Sequence, residues 1–195
     1  DYLFELRQVT KKIGIRIVSA GFDPISKLNE VPNNPKKRYE LMTKDMPEGG
    51  ELSLDMMYRT CGTQLNIDYN SEQDFIKKFQ IVNSIVPITI ALFANSSIKE
   101  KQNSNYLSYR SKVWQNTSRG GLPKIFFENL NFEKYAEFVM NFPILFIQEK
   151  ENYISGKKYI FKDFMNGKIK EIKNRLPNEN DLSTHLSTIF TENRL

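Results

Sequence analysis

The 195 residues include one cysteine, one histidine and one tryptophan. A single cysteine, Cys61, excludes an internal disulfide and fits a reducing compartment, for which the cytoplasm is the expectation. His185 has no second histidine or cysteine arranged around it and is expected to pack or cap a helix. Gly-x-Gly-x-x-Gly, a phosphate-loop Gly-Lys-Ser/Thr, a Cys-x-x-Cys pair and a Gly-x-Ser-x-Gly elbow are all missing. The common dinucleotide, phosphate-loop, redox and serine-hydrolase signatures therefore do not apply. No apolar window reaches membrane-spanning length. The greasiest, 81–94, is short and contains Asn83, Ser84 and Pro87, so no membrane partner is expected. No secretory signal is expected before Asp1.

What is present is a globular composition: 39% hydrophobic and 12% aromatic residues. The net charge is +5. The lysines are scattered and Lys, Asn and Ile are used heavily, a bias that an AT-rich genome produces, so nucleic acid is not an expected partner. A basic base-stacking module, with Tyr106, Tyr109 and Trp114 near Arg110 and Lys112, is the reading from another class. The chain opens inside an amphipathic pattern, Asp1 to Leu6, and stops at Arg194-Leu195. It reads as an internal segment of a longer protein.

Helices are predicted over Leu3 to Lys12, over Asn33 to Lys44, from a Ser71 cap through Phe75, Phe79, Val82 and Val86, and along Tyr135, Phe138, Val139 and Phe142. Pro87 is expected to kink or restart its helix. A short helix over Phe161 to Asn166 is closed by Gly167. A last one, capped by Asn180 or Asp181, is expected to bury Leu182, Leu186 and Ile189. Strands are predicted at Ile15 to Ala20, Tyr106 to Trp114, Pro143 to Gln148 and Tyr153-Ile154. The irregular mixture gives an α+β class: an antiparallel sheet with flanking helices.

The most informative stretch is Met56 to Tyr69, which reads as a long strand with two unlike faces. Side chains alternate along a strand. One face carries Tyr58, Thr60, Gly62, Gln64, Asn66 and Asp68. The other carries Met57, Arg59, Cys61, Thr63, Leu65 and Ile67. An uncharged, hydrogen-bonding face opposite a packed face suits the floor of a ligand site, though an ordinary edge strand has the same pattern. Cys61 is expected to be a buried, inert thiol.

This stretch resembles the glutamate–cysteine ligase family of plants and proteobacteria. The resemblance continues in order through Gly21-Phe22-Asp23-Pro24, Lys37-Arg38-Tyr39-Glu40, Asp45-Met46-Pro47, Ala94-Asn95-Ser96, Leu107-Ser108-Tyr109-Arg110-Ser111 with Trp114, Arg119-Gly120-Gly121-Leu122-Pro123, Phe161 to Gly167 and His185 to Phe190. It implies a glutamine-synthetase-like carboxylate–amine ligase architecture, here incomplete. Residues 1–195 would be part of a single catalytic domain. The implied partners are glutamate, cysteine and ATP, and the implied cofactors are ATP and Mg²⁺. A decayed or inactive fragment of that enzyme is the alternative.

The family joins the glutamate γ-carboxyl to the cysteine amine through a γ-glutamyl phosphate. Such a transfer rests on positioning and on neutralising negative oxygens, which arginines do well. Arg110 is the foremost candidate, because a planar fork grips carboxylate or phosphate. Arg119, beside Gly120-Gly121, is the second catalytic candidate, although the family carries a longer, more acidic loop there. Arg38, Arg59, Tyr58 and Asn66 are candidate substrate-binding residues. Strict alternation puts Arg59 on the packed face, from which it reaches the site only through a bulge; otherwise it is a structural ion-pair partner. Gln64 is a candidate for metal or nucleotide. Glu192 and Arg194 close the chain in a family Glu-x-Arg pattern, with nothing expected to hold the end in place.

Overall fold

The computed structural model describes residues 1–194. Helix α1 (Tyr2–Lys12) starts where the Asp1 carboxylate accepts the Leu3 N–H at 3.1 Å, and ends on Lys11 and Lys12. It buries none of its residues. The β-branched run after it does not form the expected strand. Ile15, Ile17 and Val18 are exposed, and no described segment pairs with them. β-Propensity is fit to a pleated, half-buried surface, and no such neighbour is described here.

Helix α2 (Lys37–Asp45) leads through a tight 3₁₀ turn to α3 (Ser53–Arg59). The second of these corrects the strand expected from Met56. Met56 and Arg59, three residues apart, are both buried, and Asp55 pairs with Arg59 across one turn. The helical period therefore governs up to Arg59. Thr60 makes an isolated antiparallel bridge with Phe22, and residues 61–70 run on exposed, in neither helix nor ladder. Leu65 is 82% exposed and Ile67 is also exposed, so neither packs beneath a helix. Cys61, expected inside, is exposed, on a segment that belongs to neither helix nor ladder.

Ser71 accepts the Asp74 N–H at 3.2 Å and starts α4 (Glu72–Leu92), which buries Phe75, Phe79 and Asn83. Pro87 withholds one N–H without ending the helix. The expectation that no window reaches membrane length is thereby corrected: this one helix is long and apolar enough, by length and composition, to cross a membrane. Its far end is poorly covered; Leu92 is 75% exposed.

A small hairpin, β1 (Ile98–Lys99) with β2 (Gln102–Asn103), precedes α5 (Tyr109–Gln115). The latter replaces the strand expected over Tyr106 to Trp114. Ser108 caps it by accepting the Ser111 N–H, and Tyr109 and Val113, four apart, are the residues it buries. Asn131 caps α6 (Phe132–Asn141) in the same way. The expected strand pair appears as β3 (Phe146–Glu149) against β4 (Asn152–Ser155). Helix α7 (Phe161–Met165) closes at Gly167, whose φ of +62° favours glycine.

Helix α8 (Glu179–Ser187) is capped by Asn178, with Asp181 completing the capping box. It buries Asp181 and His185, and Ile189 follows into the core, while Leu182 and Leu186 are largely exposed. Asp181 turns inward because Arg175 grips both its oxygens, at 2.6 and 3.0 Å.

The α+β class holds as helices with small antiparallel sheets. Among the described residues the sheets are two separate hairpins, not one central sheet. One core joins Phe22, Met42, Met56, Tyr109, Val113 and Phe146 beneath α2, α3 and α5. An aromatic-rich second core joins Phe75, Phe79, Phe126, Tyr135 and Ile189. A third lies under α7 around Phe161 and Phe164.

Candidate functional site

Arg110 stands on the first turn of α5, half-buried. Its backbone N–H donates to Ser96 Oγ at 3.1 Å, and its Nε donates to the Cys61 carbonyl at 2.9 Å. The guanidinium lies 5.0 Å from the Trp114 ring centroid, within cation–π range. It also lies against Gly62: a Cβ there would sit 2.9 Å from Arg110 Nη2. No carboxylate forms an ion pair with Arg110 among the described residues. Its charge therefore remains available to an incoming anion.

Gln64 and Asn66 follow on the same extended segment and are joined by a 2.7 Å bond from Gln64 Nε2 to Asn66 Oδ1. Arg194 Nη2 donates to Gln64 Oε1 at 3.5 Å. Residues 192–194 are thus tied down, contrary to expectation. Arg194 also donates to the Ile189 carbonyl, Asn193 donates to Asn83 of α4 at 2.7 Å, and the Glu192 N–H donates to the Gly121 carbonyl at 3.0 Å. Glu192 is half-buried. Burial pushes its carboxyl above the usual range, and the positive charge of Arg110 pulls the other way.

Arg119 is 7% exposed and turned inward. Nε and Nη2 donate to the carbonyl and hydroxyl of Thr188 at 2.8 and 3.2 Å, and Nη1 donates to the Pro143 carbonyl at 2.9 Å. The rings of Phe142 and Phe190 flank the guanidinium at 4.8 and 6.0 Å. Burial brings its pKa down to about 10, which still leaves it charged at neutral pH. All three donor nitrogens face protein acceptors.

Arg59 is 2% exposed. Its Nη1 bridges Asp55 at 2.8 Å and Glu100 at 3.1 Å, and its guanidinium lies 4.4 Å from the Phe22 ring. This is the ion-pair placement, reached because α3 carries Arg59 inward. Nothing projects it towards Gln64. Arg38 and Tyr58 form a second group on α2 and α3. The Tyr58 hydroxyl bonds the Thr43 hydroxyl, Tyr58 packs at 6.5 Å from Tyr39, and Arg38 lies 5.3 Å from the Tyr39 ring. No hydrogen bond, ion pair or ring contact among the described residues links this group to Arg110.

The residues present do not fit a Mg²⁺ site. No three Asp, Glu, His or Cys among the described residues could hold a metal ion, and the amide oxygen of Gln64 already faces a guanidinium. The donors around Arg110 fit a carboxylate or phosphate instead. A concavity of about 460 Å³ beside β1 and β2 is lined by residues that include Ser97, Asn103 and Tyr106 but not Arg110. Tyr109 is buried, which removes it as a base-stacking ring. His185 is buried too, bonded to the Val139 carbonyl at 2.9 Å and stacked on Phe161. Two residues were not among the sequence-derived site candidates: Gly62, which admits the arginine, and Trp114, which supports it. A glycine between the polar positions Thr60 and Gln64 was the available signal.

The sequence model of Glutamate-cysteine ligase family 2 matches residues 1–195. The chain belongs to this family. It is 41% identical over 198 aligned positions to "Glutamate–cysteine ligase A, chloroplastic" of Oryza sativa subsp. japonica. It is 42% identical to the chloroplastic glutamate–cysteine ligase of Nicotiana tabacum, and 39% to that of Arabidopsis thaliana. Each alignment covers 100% of this chain but 38–40% of the relative. The chain therefore spans about two fifths of the length of the curated relatives it matches. These relatives are named chloroplastic, which overturns the cytoplasmic expectation. A lone thiol does not distinguish one reducing compartment from another.

Proposed function

We propose that this chain is part of the catalytic domain of a glutamate–cysteine ligase, with the glutamine-synthetase-like architecture that its family resemblance implies. The observation that carries this reading is the match of the family across the whole chain. The Arg110 site adds chemical support, since it offers an unpaired guanidinium where the substrates are anions. A γ-carboxylate oxygen of glutamate attacks the terminal phosphorus of ATP, and the bond to the ADP oxygen breaks. The cysteine amine then attacks the acyl phosphate carbon. A C–N bond forms, phosphate leaves, and one amine proton passes to solvent.

Arg110 grips the anionic oxygens in this scheme, and Gln64 and Asn66 offer neutral polar contacts to substrate or nucleotide. Arg38 and Tyr58 serve substrate from α2 and α3. Arg59 serves by holding the helix end that presents Cys61. The metal ion used by such chemistry would be held by residues other than these. The test is γ-glutamylcysteine formation by the full-length protein that carries this segment, with glutamate, cysteine and MgATP each omitted in turn. Product that requires all of them supports the reading. Formation of none, by folded protein, overturns it.

A further inference from the structure

We propose that Arg119 is a positioning residue: it clamps the strap 188–194 onto the turn 116–121 and thereby sets Arg194 against Gln64. The inference rests on the ligase reading of the Arg110 site. It reassigns Arg119 from contact with substrate to organisation of the residues around it.

Three observations carry it. First, the donors of Arg119 are committed. Two of its nitrogens hold Thr188, at the start of the strap, and one holds Pro143, between α6 and β3. A buried guanidinium whose partners are two carbonyls and a hydroxyl is costly to strip, because each lost acceptor leaves a charge-bearing donor without water. Second, the backbone on either side repeats the attachment. The Phe190 N–H donates to the Arg119 carbonyl at 3.1 Å, and the Glu192 N–H donates to the Gly121 carbonyl at 3.0 Å. Side chain and main chain thus hold consecutive parts of the strap, and they fix its register. Third, the strap ends at the site. Arg194 reaches Gln64, and Glu192 lies within the electrostatic reach of Arg110.

Trp114, the one tryptophan of residues 1–195, reports on this arrangement. Trp114 lies between the two arginine systems: its ring is 5.0 Å from the Arg110 guanidinium and 6.3 Å from the Phe190 ring, edge-on. A strap that lifts exposes the indole. A strap that stays seated leaves it covered.

The experiment uses the full-length protein with Arg119→Lys, which keeps the charge but loses the fork, and Thr188→Val, which removes only the hydroxyl acceptor. Indole emission and acrylamide quenching are read without substrate, as the difference from the same protein carrying Trp114→Phe, which isolates the Trp114 signal, and KM and kcat are read with substrate. The expected result for Arg119→Lys is red-shifted, more quenchable emission with KM for an anionic substrate raised about tenfold, the effect of losing one charge-assisted contact. Thr188→Val should move both readouts in the same direction by less. Should Arg119→Lys misfold, Thr188→Val decides alone. Lost turnover with unchanged emission and quenching would mean that Arg119 touches the reacting groups, and it would overturn the inference. Unchanged emission with unchanged kinetics would overturn it as well. The fluorescence arm needs no turnover, so absence of ligase activity in the unmutated protein would refute the ligase reading separately.

Discussion

Arg110 and Gly62 fit one another: the Arg110 Nη2 atom occupies the space that a side chain at position 62 would need, 2.9 Å from the built Cβ, while Nε holds the neighbouring Cys61 carbonyl. The absent side chain is what lets the guanidinium lie against the extended segment at Cys61 and Gly62.

Gly62→Ala is therefore expected to displace Arg110 without unfolding the protein. The clashing atom is the far end of a flexible side chain, which can swing away at little cost. Substrate affinity or turnover should fall about tenfold, the effect of misplacing one charged hydrogen-bond donor. Melting temperature should change by no more than about 2 °C, as for a surface substitution. Kinetics and a thermal melt on the same preparation check both parts. A large melting shift would place the role of Gly62 in the backbone.

Asp55→Ala removes one of the two carboxylates bonded to a guanidinium that is 2% exposed. Glu100 remains, about a third exposed, so part of the charge stays compensated. A stability loss of about 2–4 kcal/mol is expected, somewhat below that for breaking a fully buried pair. Denaturant unfolding measures it. A loss under about 0.5 kcal/mol, the scale of an ordinary surface change, would make the pair incidental.

His185 is buried and its pKa is lowered, with burial the main cause, the backbone bond to Val139 opposing it and Arg119 adding to it. The unfolded chain takes up a proton near the ordinary value of 6.5, where the folded chain refuses it. More protons on the unfolded state mean that stability rises with pH. Stability should be full above about 6.5 and lost as pH falls from there through the folded value. His185→Gln should flatten that slope in melts between roughly pH 5 and 7.5. An unaltered slope would assign it to other groups.

The Ser71 cap was legible, with Asp74 three residues on, but Ser108 fell within an expected strand and Asn178 was passed over for Asn180 or Asp181, although each also stands three residues before its N–H donor. The hairpin of β3 and β4 was legible from two short apolar runs around a charged turn. Met56 to Arg59 misled because its alternation was read with period 2, while the buried positions Met56 and Arg59 and the Asp55 pair follow the helical period. Tyr106 to Trp114 misled for the same reason, with Tyr109 and Val113 four apart. Arg110, Gln64 and Asn66 were named from sequence, but the partners of Arg119 were not. Thr188 lies 69 residues away and Pro143 lies 24 away. No local pattern encodes a carbonyl contact at that distance.

The most direct test of the account is steady-state kinetics of Arg110→Lys in the full-length protein, with glutamate, cysteine and MgATP varied separately. Lysine keeps the charge but not the fork, and a loss of roughly 1.5–3 kcal/mol, one to two decades in kcat/KM for one anionic substrate, is expected. Values within twofold of the unmutated protein for all three substrates would contradict the account and leave Arg110 a surface residue.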